Sequence, residues 1–114
     1  MADDPAARAR AVADAMWADD RASRGLGMRI EDVGPGRAVL TMTVAERMVN
    51  GHGICHGGFI FSLADSAFAF ACNSHGERTV AQHCAITFLR PGSLGETLRA
   101  EAAERLRGGR SGIY

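Results

Sequence analysis

One carboxylate stands out by its company. Asp65 lies inside Gly57–Asn73, an almost wholly apolar run that contains no Arg and no His. Desolvating an unpaired carboxylate costs on the order of several kcal/mol. One reading is structural: Asp65 caps a nearby loop amide or faces solvent. The preferred reading is chemical, an acid held in an apolar cleft as nucleophile or general base. Just upstream stands His56-Gly57-Gly58. A helix beginning there leaves N–H groups unpaired at the positive end of its dipole. A glycine lets a ligand carbonyl approach them closely. The Gly57 N–H would then act as an oxyanion donor for acyl transfer. A merely flexible helix entry uses the same glycines, so the pair alone is a weak signal.

Other chemistries find less support. His52, Cys55 and His56 could suggest a metal, but with no further ligand cluster elsewhere they make a poor zinc site, and no metal is expected. Cys55 and His56 are adjacent, a spacing that rarely lets thiol and imidazole meet. There is no Gly-x-Ser-x-Gly elbow and no Gly-x-Gly-x-x-Gly loop. All 13 basic residues are Arg, which removes Schiff-base, phosphate-loop and general-base lysines.

The 114 residues fit a single domain, 1–114. Thirteen acidic residues balance the 13 arginines to a net charge of 0, which argues against nucleic acid and against an anionic membrane surface. Three cysteines, an odd number without zinc-ribbon spacing, suggest free thiols in a reducing compartment. No apolar run reaches the roughly 18 residues of a membrane span. The acidic start Met1-Ala2-Asp3-Asp4 does not look like a signal peptide, and a cytoplasmic protein is expected.

The elements that must position the site follow from periodicity. An amphipathic helix is predicted over about 5–24, with Asp4 as its cap, Pro5 in its first turn, and Gly25 and Gly27 ending it. Leu26–Val33 and Arg37–Ala45 read as an antiparallel hairpin around Gly34-Pro35-Gly36, followed by a loop over Arg47–Gly53. The central run, about 57–73, is apolar nearly all round, which predicts a buried helix wrapped by a sheet. Thr79–Arg90 reads as a long strand. Thr97–Arg107 favours helix by propensity but also alternates, and is taken as a strand; Arg110–Tyr114 begins another after a Gly108-Gly109 turn.

The stretch Asn50-Gly51-His52-Gly53-Ile54-Cys55-His56-Gly57-Gly58, continuing through Asp65 to Ser74, closely resembles hotdog-fold acyl-CoA thioesterases, in particular the phenylacetic-acid-degradation branch called PaaI. Phe88-Leu89-Arg90-Pro91-Gly92 and Gly109–Tyr114 resemble the same branch. The resemblance implies an α+β hotdog fold, a long antiparallel sheet around a central helix, with dimers pairing into a dimer of dimers. It implies Asp65 as the catalytic acid, the Gly57 N–H as carbonyl-polarising donor, Asn50 positioning water or substrate, and His56 in support. Gly58, Gln82, His83 and Arg90 fall on the substrate-binding side. Gln82 and His83 stand about where related enzymes often carry Ser or Thr. Relatives continue for about two further strands, which implies C-terminal strands truncated at Tyr114.

The function expected is hydrolysis of an acyl-CoA, with phenylacetyl or hydroxyphenylacetyl groups favoured by the resemblance, and with no cofactor beyond the coenzyme A of the substrate. The alternatives are a non-catalytic acyl-CoA binding protein and a hotdog hydratase, the latter disfavoured because Gly57–Asn73 holds no His. Phe59, Phe61, Phe68 and Phe70 could line an aromatic pocket, although core is the stronger reading. Gly57 and Asp65 are eight residues apart, or about 12 Å along a helix. One helix cannot bring both to one carbonyl, so the spacing predicts a two-fold homodimer in which each site draws Gly57 from one chain and Asp65 from the other.

Overall fold

The computed structural model describes residues 4–114; the acidic opening at residues 1–3 lies outside the described residues. The first predicted helix is two. Helix α1 (Pro5–Asp19) is capped by Asp4, whose Oδ1 accepts the Ala7 N–H at 3.1 Å. Helix α2 (Arg21–Gly25) starts at once from Asp20, which accepts from both the Ser23 N–H (2.9 Å) and the Ser23 hydroxyl (2.7 Å). An Asp that captures the amide three residues ahead restarts a helix, so the break at Asp20 is a capping effect that apolar spacing alone did not reveal. Ser23 also meets the Ser66 hydroxyl at 2.7 Å, tying α2 to the central helix.

Strands β1 (Arg29–Gly34) and β2 (Arg37–Thr43) form the expected hairpin. Its turn needs Gly36, at φ +70°. Strand β3 (Thr97–Ala103) pairs antiparallel with β2, from Arg37 opposite Ala103 to Thr43 opposite Thr97, giving the order β1-β2-β3. The predicted strand over 97–107 therefore stops early. At Glu104 the N–H turns to donate to the Gly36 carbonyl (2.8 Å), and the chain leaves the sheet. Strands β4 (Leu106–Gly108) and β5 (Ser111–Ile113) make a separate small hairpin.

Helix α3 (Gly57–Asn73) lies across β2 and β3. Ala38, Leu40, Met42 and Val44 meet Leu63, Ala67, Phe70 and Ala71 in one buried cluster, and Trp17 of α1 packs against Phe70 at 6.3 Å. The expectation of a helix buried on every side is corrected here. This stripe and Cys72 near the helix end are buried, while Ala64 and Asp65 are exposed and Phe61 and Phe68 half-buried. A three-stranded sheet covers one side of a helix about 10 Å across.

Thr79–Arg90 is also corrected. It is extended and exposed, with no ladder partner among the described residues, so it is not a strand of the sheet. Its placement is nonetheless fixed at both ends. The Asn73 side chain brackets Thr79, donating to its carbonyl (3.0 Å) and accepting its N–H (2.9 Å). At the other end the Cys55 N–H donates to the Gly92 carbonyl (2.9 Å). The segment thus runs back along α3 from its C-terminal to its N-terminal end.

Candidate active site

The N-terminus of α3 is built by the loop before it. The His56 N–H donates to the Met48 carbonyl (2.7 Å), and Val49 bridges Cys55. Asn50 closes the loop between them. Its N–H donates to Ile54 (2.8 Å), and its side-chain oxygen accepts the His52 N–H (2.9 Å). That oxygen serves the loop, so Asn50 holds the entry to the helix in shape.

His56 is the N-cap: its Nδ1 accepts the Gly58 N–H at 2.9 Å. The neutral ring therefore carries its proton on Nε2. The cap occupies Gly58 and leaves the Gly57 N–H with no acceptor among the described residues. An unpaired N–H in the first turn, aligned with the helix dipole, is suited to a developing oxyanion. Gly57 must also lack a side chain, because a Cβ there would come within 2.9 Å of the Phe88 ring.

Asp65 lies two turns further on, with no hydrogen-bond or ion-pair partner among the described residues. It faces a cavity of about 640 Å³ between α3, the extended segment and the β4-β5 hairpin. Phe61, Phe68 and Tyr114 supply its aromatic walls, and Gln82 and His83 line it from the extended segment. Asp65, Gln82 and His83 are thus brought to one cavity. Gly57, Gly58, His56 and Asn50 are at the helix start, apart from it. Arg90 belongs to neither group. It lines a second cavity of about 570 Å³, on the β3 side of α3, and lies 3.3 Å from Glu96.

The thiols are ill-suited to nucleophilic attack where they are buried. Burial raises the pKa of both Cys55 and Cys72, and the Cys55 thiol contacts the His56 carbonyl (3.6 Å). No group of three or more His, Cys, Asp or Glu among the described residues is arranged to hold a metal.

One feature of the cavity was legible but unused. Phe61, Asp65, Phe68 and Cys72 stand at i−4, i, i+3 and i+7, one stripe of the helix, and all four line the cavity. Phe70 is core, Phe59 sits 6.1 Å from the His56 ring, and only Phe61 and Phe68 reach the cavity. Tyr114 had no signal in the sequence, because its place depends on how the chain folds back after β3.

Residues 52–114 match the family model of the thioesterase superfamily. The acyl-coenzyme A thioesterase PaaI of Escherichia coli (strain K12) is 52% identical over 102 residues, covering 90% of this chain and 73% of that one. The solved structure of the E. coli PaaI protein from the phenylacetic acid degradation operon superposes with a TM-score of 0.92 at 50% identity, over 94% of this chain and 78% of that one. A hypothetical thioesterase protein of Streptococcus pneumoniae TIGR4, solved with coenzyme A, superposes with a TM-score of 0.69 at 28% identity, over 72% and 66% of the two chains.

Proposed function

The chain belongs to the thioesterase superfamily, in its hotdog-fold acyl-CoA thioesterase branch, and we propose that it hydrolyses an aromatic acyl-CoA such as phenylacetyl-CoA or hydroxyphenylacetyl-CoA. The observation that carries this reading is the unpartnered Asp65 carboxylate facing an aromatic-walled cavity, on the same helix whose first N–H is also free. The coenzyme A held by the S. pneumoniae relative and the operon of the E. coli one agree with such a substrate.

In the reaction, the Gly57 N–H donates to the thioester oxygen as the carbonyl carbon becomes tetrahedral. Asp65 acts in one of two ways. It removes a proton from a water that attacks the carbon, or it attacks itself, giving a mixed anhydride that water then opens. Either way the C–S bond breaks, the CoA thiolate leaves and takes a proton, and the acid is released. Gly57 and Asp65 of one chain lie about 12 Å apart along α3, so each site draws on two chains. The unpaired, exposed backbone of 79–90, with Val80 and Leu89 nearly bare, is an edge on which a second copy can pair.

Release of free thiol from phenylacetyl-CoA tests the activity. Asp65→Asn should lower kcat by about a thousandfold without lowering the melting temperature, since nothing among the described residues bonds to that carboxylate. Mixing Asp65→Asn chains with Gly57→Val chains should then restore turnover, because one of two sites in the heterodimer is intact. No recovery after proven subunit exchange would place each site within one chain. Acyl-CoA binding without thiol release by the parent would leave a binding protein instead of an enzyme.

A further inference from the structure

Asp65 has no bonded partner among the described residues, so its place is set by the helix that carries it. Rotation of that helix is the freedom that matters. A group about 5–6 Å from a helix axis travels about 1 Å for each 10° of rotation. A misplacement of about 1 Å can slow a reaction about a hundredfold. The sealed face of α3 resists rotation only through Leu63, Ala67, Phe70 and Ala71, and apolar contact is non-directional. Other α3 side chains bond within the helix: Ser62 donates to the Gly58 carbonyl (2.8 Å), and the Cys72 thiol contacts Ala69. Between the His56 cap and Asn73, among the described residues, Ser66 alone bonds to another element, and it is the neighbour of Asp65.

Ser66 meets Ser23 of α2, Oγ to Oγ at 2.7 Å. Ser23 is 1% exposed, and each of its polar groups is engaged. Its N–H and its hydroxyl both donate to the Asp20 carboxylate, at 2.9 and 2.7 Å. Its carbonyl accepts the Met28 N–H at 3.1 Å, at the entry to β1. A hydroxyl has one proton to donate. That of Ser23 goes to Asp20, so Ser66 is the donor between the two serines. The chain runs one way, Ser66 to Ser23 to Asp20, and ends on the residue that joins α1 to α2. The same short helix reaches the other half of the site. Arg47 donates to the Gly25 carbonyl at 2.7 Å. It lies in the 3-10 turn Glu46–Met48, whose Met48 carbonyl accepts the His56 N–H just before Gly57.

We propose that α2 braces the active site: Ser23 and Ser66 are positioning residues that fix the rotation of α3, and with it the place of Asp65. This rests on the thioesterase reading above. Replacing both partners of a buried hydrogen bond by apolar groups of the same shape is nearly neutral for stability. What the two hydroxyls add is direction, which the chemistry needs and the fold does not.

The test is kcat and KM for phenylacetyl-CoA, by thiol release, with circular dichroism melting of each variant. Ser66→Ala removes the bond but raises helix propensity, so the fold should survive. Its kcat should fall about tenfold, the effect of roughly half an ångström of drift, with KM little changed. Ser66→Thr keeps the hydroxyl and should keep most of the parent's kcat. Ser23→Ala should match Ser66→Ala; if it does not fold, the two Ser66 variants decide. Mixed dimers trace the defect to its source. Ser66→Ala chains mixed with Gly57→Val chains should gain turnover severalfold, because the intact site takes Asp65 from the braced chain. Mixed with Asp65→Asn chains they should gain nothing, because the one site with a carboxylate takes it from the unbraced chain. Ser66→Ala and Ser23→Ala with the parent's kcat, whatever their melting temperatures, would overturn the brace. So would equal gains in the two mixtures, provided that Asp65→Asn and Gly57→Val chains complement each other; where they do not, the kcat values decide. A parent that releases no thiol would overturn the thioesterase reading first.

Discussion

The two long faces of α3 both carry aromatic rings and have opposite fates. On one, Leu63, Ala67, Phe70 and Ala71 are sealed against β2 and β3. On the other, Phe61, Asp65, Phe68 and Cys72 line a cavity. Backbone and local propensity are common to both faces, and among the described residues the two faces meet different partners. Three strands cover one side, and an extended segment without ladder partners crosses the other. Apolar side chains on the first face stabilise the fold. On the second, Phe61, Asp65 and Phe68 are only partly covered and face an open cavity, as the lining of a ligand site does.

That contrast can be broken with a matched pair of truncations. Phe70 is among the largest fully buried side chains, so Phe70→Ala should cost about 4 kcal/mol in urea unfolding. Phe68 is half-buried with one face on the cavity, so Phe68→Ala should cost about 1–2 kcal/mol. It should nonetheless impair phenylacetyl-CoA turnover more than its stability loss explains. Equal stability losses would make both faces core, and the cavity a packing fault.

How much of this was legible in the sequence divides along the same line. The hairpin, the central helix, the cap at Asp4 and the lone Asp65 were all readable, because each depends on neighbours within a few residues. Among the described residues the burial of α3 is one-sided, and composition does not say which side of a helix the strands will take. Thr79–Arg90 has strand composition and an extended backbone but no ladder partner among the described residues, and pairing is a property of two segments. The break at Asp20 was signalled by an Asp three residues before Ser23, a local cue masked by the continuing apolar spacing. Arg90, placed by a local motif, lines a different cavity from Gln82 and His83. Glu104 bonds to Gly36, His75 and Tyr114, and Gly36 to Ser74, separations that no window along the chain spans.

The two ends of α3 sharpen the comparison further. At its start His56 alone caps the helix, through Gly58. His56→Ala should cost about 1 kcal/mol, seen as a fall of roughly 4 °C in melting temperature. His56→Asn should regain most of it, because a carboxamide oxygen can take the same N–H. It should also return the Gly58 donor to its bonded state, leaving Gly57 as the one free N–H of that turn. A melting temperature untouched by His56→Ala would mean that the loop bonds of Asn50 and Met48 hold the helix start without the cap.

The smallest effect belongs to the other end, and it depends on pH. Hydrogen bonding from His75 and Tyr114 holds Glu104 below its ordinary value of 4.5 in the folded chain. A carboxylate depressed by folding adds stability above its unfolded pKa and loses it as pH falls through the folded one. The contribution is therefore complete at neutral pH and disappears below about 4.5, as Glu104 protonates. Asp32, beside Arg37, and Glu96, which accepts the Ser93 N–H, are depressed as well, so the whole protein loses stability in acid for several reasons. Glu104→Gln removes one of them. Its melting temperature should be lower than the parent's at neutral pH, and the two curves should converge as the parent's Glu104 takes up its proton. Parallel curves down through mild acid would mean that the bonds to His75 and Tyr114 do not distinguish the charged form.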